Sequence, residues 1–153
     1  MPELVSNQHH DKGGRLKFVL NLVRAERPEA WEGWLQYEIS LMAGDDTLAI
    51  GTQRTIMANE ITQLCEILSE STTGEFEPVE PDFQLTIRPS ETGDQSERCE
   101  VFVFMNEAVR RGEGYYSRDG FGLRLPLDRS ACHKFATQLN EHLNQLTAEL
   151  PKG

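Results

Sequence analysis

After a polar opening, Leu16, Phe18, Leu20 and Leu22 fall on one face of an extended chain, with Lys17 and Asn21 on the other. A period of two is the pattern of a half-buried strand. Pro28 and its charged neighbours interrupt it. Alternation resumes at Leu35, Tyr37, Ile39 and Leu41, against Gln36, Glu38 and Ser40. Ala43-Gly44-Asp45-Asp46 reads as a hairpin turn. A third strand then runs through Leu48, Ile50 and Thr52. The first third of the chain therefore predicts a three-stranded antiparallel meander.

The period then changes. Ile61, Leu64, Cys65 and Leu68 recur at helical spacing and form one apolar stripe. Asn59 before them is a suitable N-cap, and Glu60 favours a first turn. The helix is expected over 59–71, ending where Thr and Gly gather at Ser71 to Gly74. Two prolines, Pro78 and Pro81, make the next stretch an extended or edge segment. Phe83, Leu85 and Ile87 alternate as a further strand, followed by a polar loop around Gly93. Val101, Val103 and Met105 alternate with Glu100, Phe102 and Phe104; both faces are largely apolar, which marks a central strand. Residues 106–120 read as a long loop. Its Gly-rich stretch Arg111-Gly112-Glu113-Gly114-Tyr115-Tyr116 has no following helix and no lysine, so it reads as a hairpin connection. Phe121, Leu123, Leu125 and Leu127 form the last strand. Asp128 is placed to cap a final helix, expected over 128–148, whose stripe is Cys132, Phe135, Leu139, Leu143 and Leu146.

The order is βββ-α-βββ-α. Strands arrive in runs joined by short turns, so the fold class is α+β rather than parallel α/β. The expectation is an antiparallel sheet of about six strands with two helices packed on one face. Residues 1–14 are polar and end in Gly13-Gly14, and they read as a flexible tail. That leaves 15–151 as a single α+β domain.

Length agrees with one domain: the chain has 153 residues, 38% hydrophobic and 26% charged. Charge changes the picture more. The net charge is −10, which disfavours nucleic acid, because binding phosphates requires Lys and Arg. No apolar run approaches the roughly 18 residues of a membrane helix. The polar Met1–Gly14 stretch shows no signal peptide, so a cytoplasmic setting is expected. Three cysteines, Cys65, Cys99 and Cys132, are widely spaced within apolar patterns and read as small buried hydrophobes.

The acidity is concentrated. Residues 59–100 hold eleven acids and two bases, net −9, while 1–58 are net −2 and 101–153 net +1. Glu66 and Glu70 stand four apart on one helix face, and Glu75, Glu77, Glu80 and Asp82 follow. Like charges this close repel by a few tenths of a kcal/mol per neighbouring pair, about 0.3. Such a stretch is either a solvated surface or one neutralised by a cationic partner. A hard-cation site is a third reading, but the stretch lacks the glycine of a calcium loop. Trp34 stands on the polar face of its strand, where it is either a binding anchor or a ring packed under a loop.

Catalytic motifs are not visible. The chain has no GxGxxG at a strand–helix junction, no GxxxxGK[ST], no GxSxG and no HExxH. His9-His10 lie in the tail. His133 and His142 are nine apart on the last helix, about 2.5 turns, and so point to opposite faces. No catalytic, cofactor or metal residues are nominated, and the reading is that the chain is not an enzyme.

As a whole the pattern resembles the WapI-type immunity proteins, small bacterial proteins that neutralise the C-terminal domain of a contact-dependent toxin. The matching pieces are Phe18-Val19-Leu20-Asn21-Leu22, the strand opening at Trp34-Leu35, and the helix from Asn59 to Leu68. Phe76-Glu77-Pro78 with Phe83–Ile87 follows, then the ending Phe121–Leu127 and Asp128–Pro151. The chain differs from the family pattern near Arg54 to Met57, where a Trp is expected, and in the 106–120 loop. The resemblance implies a protein partner, with a basic toxin domain the leading candidate, bound by occlusion. The residues nominated for that contact are Glu66, Glu70, Glu75, Glu77, Glu80, Asp82 and Trp34. The alternatives are a small regulatory or structural domain with another partner, or an enzyme without a recognisable motif.

Overall fold

The computed structural model describes residues 2–10, 14–70, 73–91, 97–106 and 120–150. The loop around Gly93, the Gly-rich stretch of the 106–120 loop, the helix stop at Ser71 and Thr72, and Pro151 lie outside the described residues.

The class is α+β, as the periodicity predicts, and among the described residues there are eight strands, all antiparallel, in two sheets rather than about six in one. The first sheet is β1 (Glu3–His10), β2 (Gly14–Ala25), β3 (Trp34–Ala43) and β4 (Asp46–Met57), in that order. Helix α1 (Ala58–Glu70) follows. The second sheet is β5 (Gly74–Phe76), β6 (Phe83–Pro89), β7 (Arg98–Asn106) and β8 (Gly120–Asp128), also in order. Helix α2 (Arg129–Ala148) closes the chain. Both helices lie within a residue or two of their sequence-predicted bounds. β7 is flanked by β6 and β8, the interior position its two apolar faces require.

Three differences have physical reasons. Residues 3–10 are a strand, not a tail. β1 pairs with β2, and Leu4, the one aliphatic residue at the right phase, is fully buried. One buried leucine among polar residues is too sparse a pattern to announce a strand. Second, the inner face of β4 is Ala49 and Gly51, while Leu48 and Ile50 are 40% and 46% exposed. A register shift sets this. Ala43 pairs with Asp46 across the two-residue turn, where Gly44 takes φ 60°, but between Leu41 and Met42 the ladder slips by one residue. Ala49 then stands opposite buried Leu41 and Gly51 opposite buried Ile39, so odd positions of β4 face inward from there. Third, β4 continues to Met57 because Gln53, at φ 56°, makes a bulge. The bulge moves the inner face from odd to even positions, bringing Arg54 and Ile56 inward. A phase slip inside a strand erases the alternation that would reveal it.

The two sheets share one core. Phe83 of β6 lies 6.0 Å from Phe18 of β2 and 6.0 Å from Tyr37 of β3, ring centre to ring centre. Phe135 of α2 lies 5.9 Å from Phe18. One connected set of buried side chains runs from Leu4 to Leu143. The helices pack on each other, α1 reaching β4 and β5, and α2 reaching β1, β2 and β8. At one margin β1 meets β8. Ser6 Oγ donates to the Pro126 carbonyl at 3.3 Å, and Asn7 Nδ2 donates to Asp128 Oδ1 at 3.2 Å. The Asp128 carboxylate thus serves β1 rather than capping α2, although its backbone holds the cap position. Gly120 is required where β8 begins, since a Cβ there would collide with the Met105 carbonyl oxygen. His142 is half-buried beside the α2 stripe, and burial lowers its pKa.

If β1 is part of the core, Leu4→Ala should cost about 3 kcal/mol, as for other buried leucines. Urea unfolding followed by circular dichroism measures this. A mobile tail would give an unchanged midpoint.

Candidate functional site

The acidic stretch after α1 is held at both ends. Glu60 is buried, and its carboxylate accepts from two backbone N–H groups: Met57 at 3.1 Å and Val79 at 2.7 Å. The first bond reaches back over the start of α1, the reciprocal half of a capping box. α1 begins at Ala58, so Asn59 stands inside the helix rather than capping it. The second bond fixes the Pro78–Pro81 segment onto the helix.

Asp82 holds the other end. Its Oδ2 accepts from the Tyr37 hydroxyl at 3.2 Å, and its Oδ1 pairs with Arg54 Nη1 at 3.3 Å. Tyr37 and Arg54 come from the first sheet, and Asp82 leads into the second. Asp82 is only 7% exposed, so it is withdrawn from the acidic surface for which it was nominated. Burial raises its pKa, opposed by the Arg54 guanidinium and the Tyr37 hydrogen bond. Burial raises the Tyr37 phenol as well, with the neighbouring carboxylate adding to it. The bulge at Gln53 makes the arrangement possible by turning Arg54 inward.

Between these anchors the segment faces solvent. Val79 is 75% exposed, and Glu80 is exposed beside Trp34. Glu80 and Trp34 line a cleft of about 300 Å³ with Glu26, Arg27, Glu32 and Thr55. Trp34 is half-buried. Trp31 braces it, donating from Nε1 to the Trp34 carbonyl at 2.9 Å. Glu26 is oriented by Gln36, whose Nε2 donates to Glu26 Oε1 at 2.6 Å. Arg27 adopts φ 47°, ψ 64° as the chain enters the 3₁₀ turn Pro28–Ala30. This left-handed conformation is uncommon for a non-glycine residue.

The structure thus brings together two of the seven nominated residues, Trp34 and Glu80. Glu66 and Glu70 lie exposed on α1, and Glu75 and Glu77 are exposed on and beside β5, none of them lining this cleft. Sequence reasoning missed Glu26, Arg27, Glu32 and Thr55. The alternation of Glu26, Glu29 and Glu32 around Trp31 and Trp34 could have drawn attention to the first three. Thr55 follows the bulge and had no signal.

The cleft is lined by three glutamates, one arginine and an indole, so it is acidic overall and suits a cation. A guanidinium or ammonium can lie on the ring while the acids accept its N–H groups. Among the described residues, no group of three or more His, Cys, Asp or Glu side chains stands where a metal ion could be held. No described helix is long and apolar enough to cross a membrane.

Comparison with known proteins adds to this. A family model described as the immunity protein WapI-like family matches residues 8–147. No curated protein matches the chain. Among solved structures, one titled as a guideRNA-binding protein complex bound to a gRNA is similar at TM-score 0.50 and 10% identity, covering 97% of this chain and 93% of that one. Another, from crystal structures of Trypanosoma bruciei MRP1/MRP2, has TM-score 0.48 and 11% identity, covering 95% and 84%. At such identity the first likeness shows the fold alone.

Asp82→Ala should cost about 2 kcal/mol or more, because it removes the acceptor of the buried Tyr37 hydroxyl and the carboxylate that pairs with Arg54. Chemical denaturation at neutral pH measures it. Asp82→Asn tests the charge. The folded-state pKa is raised, so the folded chain binds a proton more readily than the unfolded one. Wild type should therefore gain stability relative to Asp82→Asn as pH falls from the raised value towards the ordinary 3.8. A constant difference across that range would contradict the assignment.

Proposed function

The chain belongs to the WapI-like immunity protein family, and on that premise we propose that it is a non-catalytic binding protein that neutralises a cognate bacterial toxin by occlusion, docking through the Trp34 cleft. The observation that carries this is the convergence of Trp34 and Glu80 in one concave, acidic site, on a segment pinned by Glu60 and Asp82. A half-buried ring on a strand whose backbone is held by Trp31 loses less conformational freedom on binding than a fully exposed one, which favours affinity. Glu26, Glu32 and Glu80 would receive a lysine or arginine of the toxin.

The wider acidity has a separate part. With −9 of the −10 net charge in residues 59–100, the exposed Glu66, Glu70, Glu75 and Glu77 would steer a basic partner and quicken encounter. A toxin that acts on nucleic acid carries a basic substrate groove, which an acidic inhibitor can occupy. A nucleic-acid partner for this chain itself is no part of the proposal, because its charge repels phosphates. A cytoplasmic setting belongs to it, supported by three free, buried thiols.

The test is titration against a candidate basic toxin domain, at low and high salt. Trp34→Ala should weaken binding by tenfold or more, about 2 kcal/mol, with an unchanged circular dichroism spectrum. Reversing Glu75, Glu77 and Glu80 to Lys should weaken binding, slow association and flatten the salt dependence, since Glu80 lines the cleft and the rim charges Glu75 and Glu77 act chiefly on rate. Equal affinities and equal salt slopes for wild type and both variants would remove the cleft and the acidic surface from the mechanism.

A further inference from the structure

Two of the three cysteines meet in the core. Cys99 lies near the start of β7, opposite Leu127 of β8, and Cys132 lies in the first turn of α2. Their sulfurs are 3.5 Å apart and hydrogen-bonded, with either able to donate. Each residue is 1% exposed. Cys65, on α1, is also buried and free, and burial pushes its thiol up to about 12. Cys99 differs. The hydrogen bond from Cys132 lowers its pKa, Arg129 adds to this, and burial opposes it. Of the three, Cys99 is the thiol poised to attack, and its resolving partner is already in contact.

We propose that Cys99 and Cys132 are a modification site: a reversible disulfide that staples α2 to β7 when the surrounding thiol pool is oxidised. The oxidant is a low-molecular-weight disulfide such as oxidised glutathione. Cys99 thiolate attacks one of its sulfurs, forming a mixed disulfide and releasing one thiol that takes up the Cys99 proton. Cys132, deprotonated in turn, attacks the Cys99 sulfur. The protein disulfide forms and the second small thiol leaves with the Cys132 proton. Two protein S–H bonds are replaced by one S–S bond, and one small disulfide is reduced to two thiols. Closing the sulfurs from 3.5 Å to roughly 2.05 Å needs a shift of about 1.5 Å between the first turn of α2 and β7. Local opening of that turn would admit the oxidant to the buried pair. Plain core packing would explain two small apolar side chains here; the sulfur–sulfur contact of 3.5 Å goes further, since it places each thiol where it resolves a mixed disulfide formed on the other.

The experiment uses the full chain, folded, in an oxidised glutathione buffer, followed by alkylation under denaturing conditions and mass spectrometry. The expected result is a chain that has lost two hydrogens, with Cys65 alone alkylated and a proteolytic peptide linking Cys99 to Cys132. The melting midpoint should rise by about 8 °C and return on reduction. In Cys132→Ala the shift should vanish, with Cys99 ending as a free thiol or a glutathione adduct. Three alkylatable thiols, after an incubation that oxidises the same chain in urea, would overturn the proposal. So would a linkage through Cys65, or a disulfide that lowers the midpoint.

Discussion

Phe83 stands where two four-stranded sheets have to meet, and the rest of the molecule depends on that meeting. Each sheet has one apolar face, and neither is wide enough to bury it by folding on itself. The faces are buried against each other and against the paired helices, with Phe18, Tyr37, Phe76, Phe83 and Phe135 as the aromatic junction. Polar bonds then fix the relative position of the sheets at the margins. On one side Ser6 and Asn7 of β1 bond to β8. On the other, Tyr37 and Arg54 of the first sheet hold Asp82 at the entry to the second. Apolar contact supplies the attraction, and these directional bonds select one arrangement.

That arrangement also explains the cleft. The segment from Pro78 to Pro81 contains no helix or strand, and a free segment of this kind would wander. Glu60 and Asp82 deny it that freedom from either end. Two of the chain's most acidic-looking positions are therefore spent inward on structure, which leaves Glu80 and Val79 presented outward on a fixed frame. Across the cleft, the 3₁₀ turn at Pro28 and the Trp31–Trp34 bond stabilise the opposite wall. An acidic concavity results, on a chain that belongs to the WapI-like immunity protein family.

Much of the fold was legible in the chain. Both helices followed from their stripes, and β2, β3, β6, β7 and β8 from simple alternation. The strands that escaped did so for particular reasons. β1 shows a single buried leucine, and β5 is three residues long. β4 was legible as a strand through Leu48, Ile50 and Thr52, but not its inward face, since Leu48 and Ile50 are exposed, nor its extension to Met57 past the bulge at Gln53. The site was less legible than the fold. Acid density pointed to residues 59–100, but density does not separate a carboxylate that faces solvent from one that binds backbone or arginine. Asp82 and Glu60 look like their neighbours in the sequence and differ wholly in environment. Trp34 stood out because its face of the strand was otherwise polar, a signal that survived folding.

The central claim is that the wall-to-wall surface around Trp34 is where the partner sits. Hydrogen–deuterium exchange of this chain, alone and bound to a candidate toxin domain, tests it most directly. The account predicts added protection over residues 26–36 and 78–81, with α2 unchanged. Protection confined to α2 or to the β7–β8 face, with residues 26–36 and 78–81 exchanging as in the free chain, would contradict it.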